Sequence, residues 1–317
     1  MSRSASRGRS SAPAHVATPS APPRTSSLIL AFAAVYLIWG STYLAIRIAI
    51  ETIPPFTMAA ARFLAAGALL YPWARLKGKA PAPTAVHWRN TALLGFLFLT
   101  VGNGAVVWAE QWVPSGLVAL LVGMLPLWMV LVDWFFGSGR RPGPLLVAGL
   151  IWGLAGVALL ASTGGFGARG TIGLVGALGV SVGSITWAYG SIRARVIALP
   201  ARMPLNTAMQ MLWGGAFLLL IGAATGELAR LDPSVIALRS VVATAYLAVF
   251  GSLVAFSAFL WLNSVVSPAS VSTYAYVNPV VALLLGWAFA GEEITSRTLI
   301  AAAMILSAVV LITRRGR

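Results

Sequence analysis

The chain has 317 residues, of which 59% are hydrophobic and only 9% are charged, with a mean hydropathy of +0.87 and a formal net charge of +15. Because a soluble domain carries about 25% charged residues, this composition excludes a water-soluble globular protein and indicates an integral membrane protein. The positive charge alone would favour nucleic-acid binding, but membrane topology accounts for it, so we expect no nucleic-acid partner. The chain has no Cys, which excludes disulfides and thiolate metal sites.

Ten apolar stretches are long enough to cross a bilayer, which takes about 20 residues each. The predicted spans are 28–50, 55–75, 91–110, 115–136, 144–162, 171–192, 204–225, 239–262, 268–290 and 297–313. Residues 1–27 are rich in Ser, Ala, Pro and Arg and lack the apolar core of a signal peptide. They therefore predict a disordered tail in front of an all-α membrane domain.

The distribution of Lys and Arg predicts the orientation. With the N-terminus inside, 16 of the 22 basic residues lie in the tails and loops on the cytoplasmic side, and four lie on the outer side. The remaining two, Arg47 and Arg62, lie within spans. This positive-inside bias predicts that both termini lie in the cytoplasm. We therefore expect a multi-pass protein in the lipid bilayer of a bacterial-type inner (plasma) membrane.

The chain contains an internal repeat. Residues 91–160 align without a gap on residues 244–313, at an offset of 153, and both copies have a Pro followed by a Trp eight residues later. We interpret this as a duplication. Five spans separate each matched pair, and because five is odd the two copies must be inverted in the bilayer. The prediction is two inverted five-helix repeats, 28–162 and 171–313, with a binding site near the midplane between them.

Two arginines lie within the first two spans. Trp39, Tyr43 and Arg47 are spaced by four and share one face of span 1. Arg47 lies near the outer end, where its side chain is expected to snorkel towards the interface. Arg62 lies deeper in span 2, where a charge costs at least about 2.5 kcal/mol. We expect it to face the bundle, either paired with a helix-end carbonyl or Glu110, or in contact with an anionic substrate group.

Spans 4 and 9 each contain a proline near the middle, Pro126 and Pro279. Each proline removes the helical partner of a carbonyl four residues earlier, at Val122 and Ala275. A freed carbonyl is tolerated in hydrocarbon only where protein or a wet cavity satisfies it. The pair therefore indicates either a central cavity or two ordinary bent helices.

Other polar and small residues allow two interpretations each. In span 3, Asn103 is either a link between helices or a ligand contact. The small residues of span 5, Gly149 to Gly156, favour close packing as scaffold or as a dimer contact, so a homodimer is among the expected partners. In span 6, Ser184 lies on a hydroxyl stripe beside Trp187, which suits either a cavity wall or bonds to the helix backbone.

Several kinds of site are missing from the sequence. His15 and His87 lie outside the spans, and no carboxylate lies in the middle of one. There is no zinc-binding set, no nucleophile with a base and no phosphate-binding loop, so we predict no enzyme activity, no cofactor and no metal. The lack of a midplane acid argues against tight proton coupling, unless Glu110, at the end of span 3, faces the cavity.

Several segments of the chain resemble those of a known family. The segments Trp39-Gly-Ser-Thr-Tyr43, Ala-Arg62-Phe, Asn278-Pro279 and Gly291-Glu292-Glu293, with Pro126, are similar to the EamA-type branch of the drug/metabolite transporter superfamily, over residues 28–313. The resemblance implies ten helices in two inverted repeats and export of small metabolites, such as amino acids, or of amphipathic drugs. It also implies a central cavity formed by spans 1, 3, 4, 6, 8 and 9.

For this chain, the resemblance implies that the following residues line the cavity: Trp39, Ser41, Asn103, Trp187, Tyr274 and Asn278. The resemblance also implies that Glu292 and Glu293 have a structural role or belong to a gate. Span 7 has Gln210 where the repeat would place a second Arg like Arg62, so an arginine-dependent role is confined to one half.

The main hypothesis is a secondary carrier or facilitator that exports a small, partly apolar metabolite by alternating access. Aromatic walls would bury its apolar surface, and a few polar groups would orient it. The predicted substrate-binding residues are Trp39, Ser41, Tyr43, Arg62, Asn103, Trp108, Ser184, Trp187, Trp261, Tyr274 and Asn278. The alternatives are a lipid-handling flippase, which needs a cleft open to lipid, and a non-transporting scaffold, which needs a dry interior.

Overall fold

The computed structural model describes residues 24–78, 81–137, 139, 141–162 and 170–313. All regular elements in these ranges are helical, as the composition predicts. Of the predicted N-terminal tail, only residues 24–27 are described. The long helices are α1 Thr25–Ala49, α2 Pro55–Gly78, α3 Ala85–Ala109, α4 Ser115–Phe136, α5 Pro144–Ser162, α6 Gly170–Arg193, α7 Met203–Ala224, α8 Leu238–Val265, α9 Tyr274–Ala290 and α10 Ser296–Thr313.

Six stretches of described helix are long and apolar enough to cross a membrane by length and composition: α1, α3, α4, α7, α8 and the Leu174–Arg193 part of α6. Shorter apolar helices follow at Val147–Gly156, Tyr274–Ala290 and Ser296–Ala308. The fold is therefore that of a multi-pass, all-helical membrane protein. Ten crossings arranged as two repeats stay a prediction.

Glycines allow the helices to approach closely. A Cβ added to Gly214 in α7 would lie 2.6 Å from Leu99 Cβ in α3, and one added to Gly102 in α3 would lie 2.8 Å from the Trp187 ring in α6. The small residues of α5 serve the same purpose, because Gly156 faces α10 and Gly153 faces both α4 and α10. The surface predicted as scaffold or dimer contact is thus covered by a helix of the same chain.

The hydrogen bonds define the directions of the central helices. Trp39 Nε1 donates to the Gly251 carbonyl, and Ser240 Oγ donates to the Ile48 carbonyl, so α1 and α8 run antiparallel. By the same reasoning α3 and α6 run antiparallel, since Asn90 at the start of α3 bonds to the Ala198 carbonyl just after α6. These two helix pairs enclose the centre of the molecule.

Helices α3 and α8 each contain a π-helical stretch, Phe96–Asn103 and Leu247–Phe256. At the repeat offset of 153, the first stretch falls on residues 249–256, within the second. A π-helical turn adds a residue to the helical repeat and changes the direction of the side chains around it, often at functional sites. Both stretches contribute side chains to the central cavity described below.

The two prolines lie differently from the expectation of matching mid-helix bends. In α4 the helix is interrupted at Gly123–Met124, and Pro126 lies in the first turn of the following segment, where no N–H is needed. In α9 the helix continues through Pro279. A Cβ on Gly123 would lie 3.2 Å from Pro279 Cγ, so α4 and α9 cross closely at this point.

Two Gly-Glu pairs connect the second half of the chain to the first. Gly226 and Gly291 end α7 and α9 with left-handed backbones, φ of 75° and 65°, which glycine adopts without strain. The glutamate that follows each glycine then reaches the start of another helix. Glu227 accepts hydrogen bonds at the start of α2, and Glu292 accepts them from Ser115 and Gly116 at the start of α4. Carboxylates are favourable there because they satisfy free N–H groups.

Candidate functional site

A cavity of about 80 Å³ lies at the centre of the helices. Since one water needs roughly 10–15 Å³ on this scale, the space holds roughly five to eight waters or one small solute. Seven of the predicted site residues line it: Trp39, Tyr43, Arg62, Asn103, Ser184, Trp187 and Tyr274. The lining comes from α1, α3, α4, α6, α8 and α9, as the resemblance implied, and also from α2 through Arg62 and Phe63.

Aromatic rings form much of the cavity wall. Trp39 meets Trp187 and Tyr274 edge-on, with ring centroids 5.6 and 5.2 Å apart and interplanar angles of 82° in both cases. Trp187 also packs against Phe98 at 4.9 Å and Phe259 at 5.3 Å. Such pairs are favourable beyond the area that they bury, so the rings hold one another in place. The wall is therefore a rigid apolar surface suited to an apolar or ring-bearing group.

Arg62 is the charged group of the cavity lining, and only 3% of it is exposed. Its Nε donates to Ser252 Oγ at 3.2 Å, and its guanidinium lies 4.4 Å from the centroid of the Phe63 ring. Its partner is thus a hydroxyl in α8 rather than a helix-end carbonyl. Nη1 is buried and has no hydrogen-bond partner among the described residues. A buried guanidinium with an unused donor is a ready site for an anionic oxygen.

Three further polar atoms of the lining are buried without a hydrogen-bond partner in the described part of the chain. They are Asn103 Oδ1, Ser184 Oγ and Trp187 Nε1. Buried polar groups are paired in the great majority of cases, so a cluster of exceptions calls for water or a ligand. The set offers donors from Arg62, Ser184 and Trp187 and an acceptor from Asn103, which matches a solute with several acceptor atoms and at least one donor.

The other predicted site residues lie outside the cavity lining. Ser41 is bonded to the Ile38 carbonyl and to Tyr246 Oη. Trp108 packs on Trp112, and Trp261 packs against the hydrophobic core.

Asn278 is 2% exposed and lies behind the cavity wall. With its amide oriented to satisfy its neighbours, it donates to the carbonyls of Tyr36, 2.9 Å away, and Tyr274, 3.2 Å away. It thereby connects α1 to α9 and holds Tyr274 at the cavity.

Two features of this region were not singled out from the sequence. The first is Ser252, whose bond to Arg62 needs the approach of α2 to α8, which no pattern in the sequence shows. The second is Glu227, which accepts hydrogen bonds at the start of α2. A signal for it existed, because Gly226-Glu227 repeats the Gly-Glu arrangement of residues 291 and 292.

The comparisons with known proteins agree with the all-helical membrane fold. The sequence profile of the EamA-like transporter family matches twice, at residues 26–162 and 174–314. The chain is 42% identical over 281 residues, 88% of either protein, to the uncharacterized inner membrane transporter YedA of Escherichia coli K12. It is 27% identical over 279 residues to protein PecM of Dickeya dadantii, covering 87% of this chain and 88% of that one.

A solved crystal structure shares the fold, with a TM-score of 0.65 and 22% identity over 92% of this chain and 99% of that one. The family profile covers most of the described helices, and the relative at 42% identity is matched over nearly its whole length. The chain therefore belongs to the EamA-like transporter family.

Proposed function

We propose that this protein is a secondary carrier or facilitator of the inner membrane that moves a small, partly apolar metabolite outward through the central cavity by alternating access. The proposal is supported most directly by four polar atoms of the cavity lining, each on a different residue, that are buried without a hydrogen-bond partner among the described residues, beside an aromatic wall. A binding site of this kind is mostly apolar, with a few polar groups that fix the orientation of the solute.

The charge of the lining favours one of the two expected substrate classes. Arg62 lines the cavity, and none of the described lining residues is acidic. A cationic drug would therefore meet an unfavourable positive charge in a poorly hydrated site. A carboxylate would accept from Arg62, while a donor group on the same solute would reach Asn103. We propose a small carboxylate-bearing metabolite with an apolar side, of which an amino acid is one example.

Alternating access requires two halves that can move against each other, and several contacts support inverted halves. Arg47 Nη1 near the end of α1 donates to the Glu110 carbonyl just after α3. In the second half, Arg195 just after α6 bonds to Asn263 and to the Val266 carbonyl at the end of α8. Since α3 and α6 run antiparallel, these two equivalent junctions lie at opposite ends of the bundle.

Uptake into vesicles reconstituted with the purified protein tests the proposal. A panel of amino acids, small aromatic carboxylates and cationic amphipathic drugs would be offered with and without an imposed pH gradient. We expect saturable flux of carboxylate-bearing solutes and little flux of cations. A fluorescent phospholipid in the same vesicles tests the flippase alternative. Lipid transfer without solute flux would replace the proposal, and the absence of both would favour the scaffold.

A further inference from the structure

Glu110 is a buried carboxyl group that the proposed substrate site does not use. It follows the last residue of α3, and its exposed fraction is 0%. Neither of its carboxylate oxygens has a hydrogen-bond partner among the described residues, although its main-chain carbonyl accepts from Arg47 at 2.6 Å. By contrast, Glu227 and Glu292 each accept from main-chain N–H and hydroxyl donors.

The equivalent position in the second half is neutral, and both polar atoms of its side chain are hydrogen-bonded. At the repeat offset of 153, Glu110 falls on Asn263, and at the offset of 148 Arg47 falls on Arg195. Arg195 Nη2 donates to Asn263 Oδ1 at 3.2 Å, and Asn263 Nδ2 donates to the Ser191 carbonyl at 3.3 Å. The same arginine-linked junction is therefore built twice, and only the copy in the first half carries an acidic side chain.

The groups around Glu110 connect it to the cavity. The charged and titratable side chains that act on it in the described structure are Arg47 and Tyr43 from α1, Arg62 from α2 and Glu292 after α9. Tyr43 and Arg62 both line the cavity. Glu110 is not one of the lining residues, but its charge acts on two that are, including the arginine that would hold the substrate.

An ionised carboxylate that is removed from water and lacks donors is costly by several kcal/mol, and proton binding removes most of that cost. We propose that Glu110 is the coupling-proton site of the carrier. It holds a proton while the junction at the ends of α1 and α3 is closed. When water reaches the site, the O–H bond breaks, the proton passes to water, and the carboxylate is stabilised by Arg47 and Arg62. The inference rests on the proposed carrier function and makes it a proton antiporter.

The first experiment needs no substrate. Infrared spectra of the purified wild-type protein in lipid should contain the carbonyl band of a buried protonated carboxylic acid at neutral pH. The band should be absent from Glu110→Gln and unchanged in Glu51→Gln, whose partly exposed carboxylate pairs with Arg239. Glu227→Gln is a second control, since that carboxylate accepts three hydrogen bonds at the start of α2. A wild-type spectrum without the band, or one unaltered in Glu110→Gln, would overturn the assignment.

The second experiment tests coupling, with radiolabelled phenylalanine and benzoate as probes in vesicles with an acidic lumen. At one proton per solute, wild-type protein should accumulate a transported probe about tenfold per pH unit of gradient. Glu110→Gln should still exchange the probe between the two sides but no longer concentrate it. Equal accumulation by the variant would contradict the inference while leaving the carrier function intact. If the variant does not insert, the inference is tested with wild-type protein alone, by measuring the protons released into an unbuffered solution when the probe is added. The absence of proton release would contradict the inference.

Discussion

Replacing Arg62 by Gln tests the substrate site most sharply. The change removes the charge of the cavity lining while keeping a side chain that reaches Ser252. In the wild-type structure Nε is already held by Ser252 Oγ, so Nη1 is the donor available to a solute. A hydrogen bond to a charged group contributes about 1.5–3 kcal/mol, so the affinity for a carboxylate should fall by about 10- to 150-fold.

The assay compares a transported aromatic or aliphatic carboxylate with its neutral primary amide in reconstituted vesicles. Wild-type protein should prefer the acid, and Arg62→Gln should lose that preference while its residual flux of the amide is retained. Arg62→Lys should recover part of the preference, because it restores the charge without the planar donor pair. Arg239→Gln, which changes an exposed arginine on the surface, is the matched control. If Arg62→Gln lowers flux of the acid and the amide equally, Arg62 is structural and the reasoning is wrong.

Three further predictions concern a helix cap, the packing of two helices and the aromatic wall of the cavity. Glu292→Ala leaves the Ser115 and Gly116 N–H groups unpaired and should lower the free energy of unfolding in detergent by about 2–3 kcal/mol. Glu293→Ala, at an exposed position, should change it little. Equal melting temperatures of the two variants would contradict the capping role. Gly214→Ala brings a Cβ to 2.6 Å from Leu99 Cβ and should cost about 1–3 kcal/mol in thermal unfolding, while Gly143→Ala, with nothing within 4 Å, should be neutral. Trp187→Ala should reduce solute flux while membrane insertion, measured by yield after extraction, is retained; unchanged flux would remove Trp187 from the site.

Much of the fold follows from composition and periodicity, because a chain so poor in charge must place its apolar surface in lipid or in a core. Hydropathy located the helices, and the repeat at an offset of 153 aligned the segments of α3 and α8 that are π-helical, but nothing in the sequence predicted the π-helical turns themselves. The interruption of α4 at Gly123–Met124 was not anticipated. A proline signals a missing donor, but the position at which the helix breaks depends on what packs against it.

The candidate site was predicted in part. Trp39, Trp187 and Tyr274 were named as cavity residues because the family resemblance implied them, and the structure brings their rings together. Asn278 was also predicted to line the cavity. Its side-chain amide instead donates to two main-chain carbonyls. Tyr274 and Asn278 are about one helical turn apart on nearly the same face of α9, so periodicity does not tell which of them reaches the cavity and which is covered by α1.

Accessibility of the cavity from each side of the membrane tests the account most directly, and a chain without Cys is suited to it. Ser184→Cys places one thiol at the buried hydroxyl of the cavity lining. Alternating access predicts that a small, membrane-impermeant thiol reagent modifies this variant from either side of the membrane, and that a transported carboxylate slows both reactions. A thiol that reacts from neither side, or that reacts at a rate unaffected by every transported solute, would contradict a solute path through this cavity.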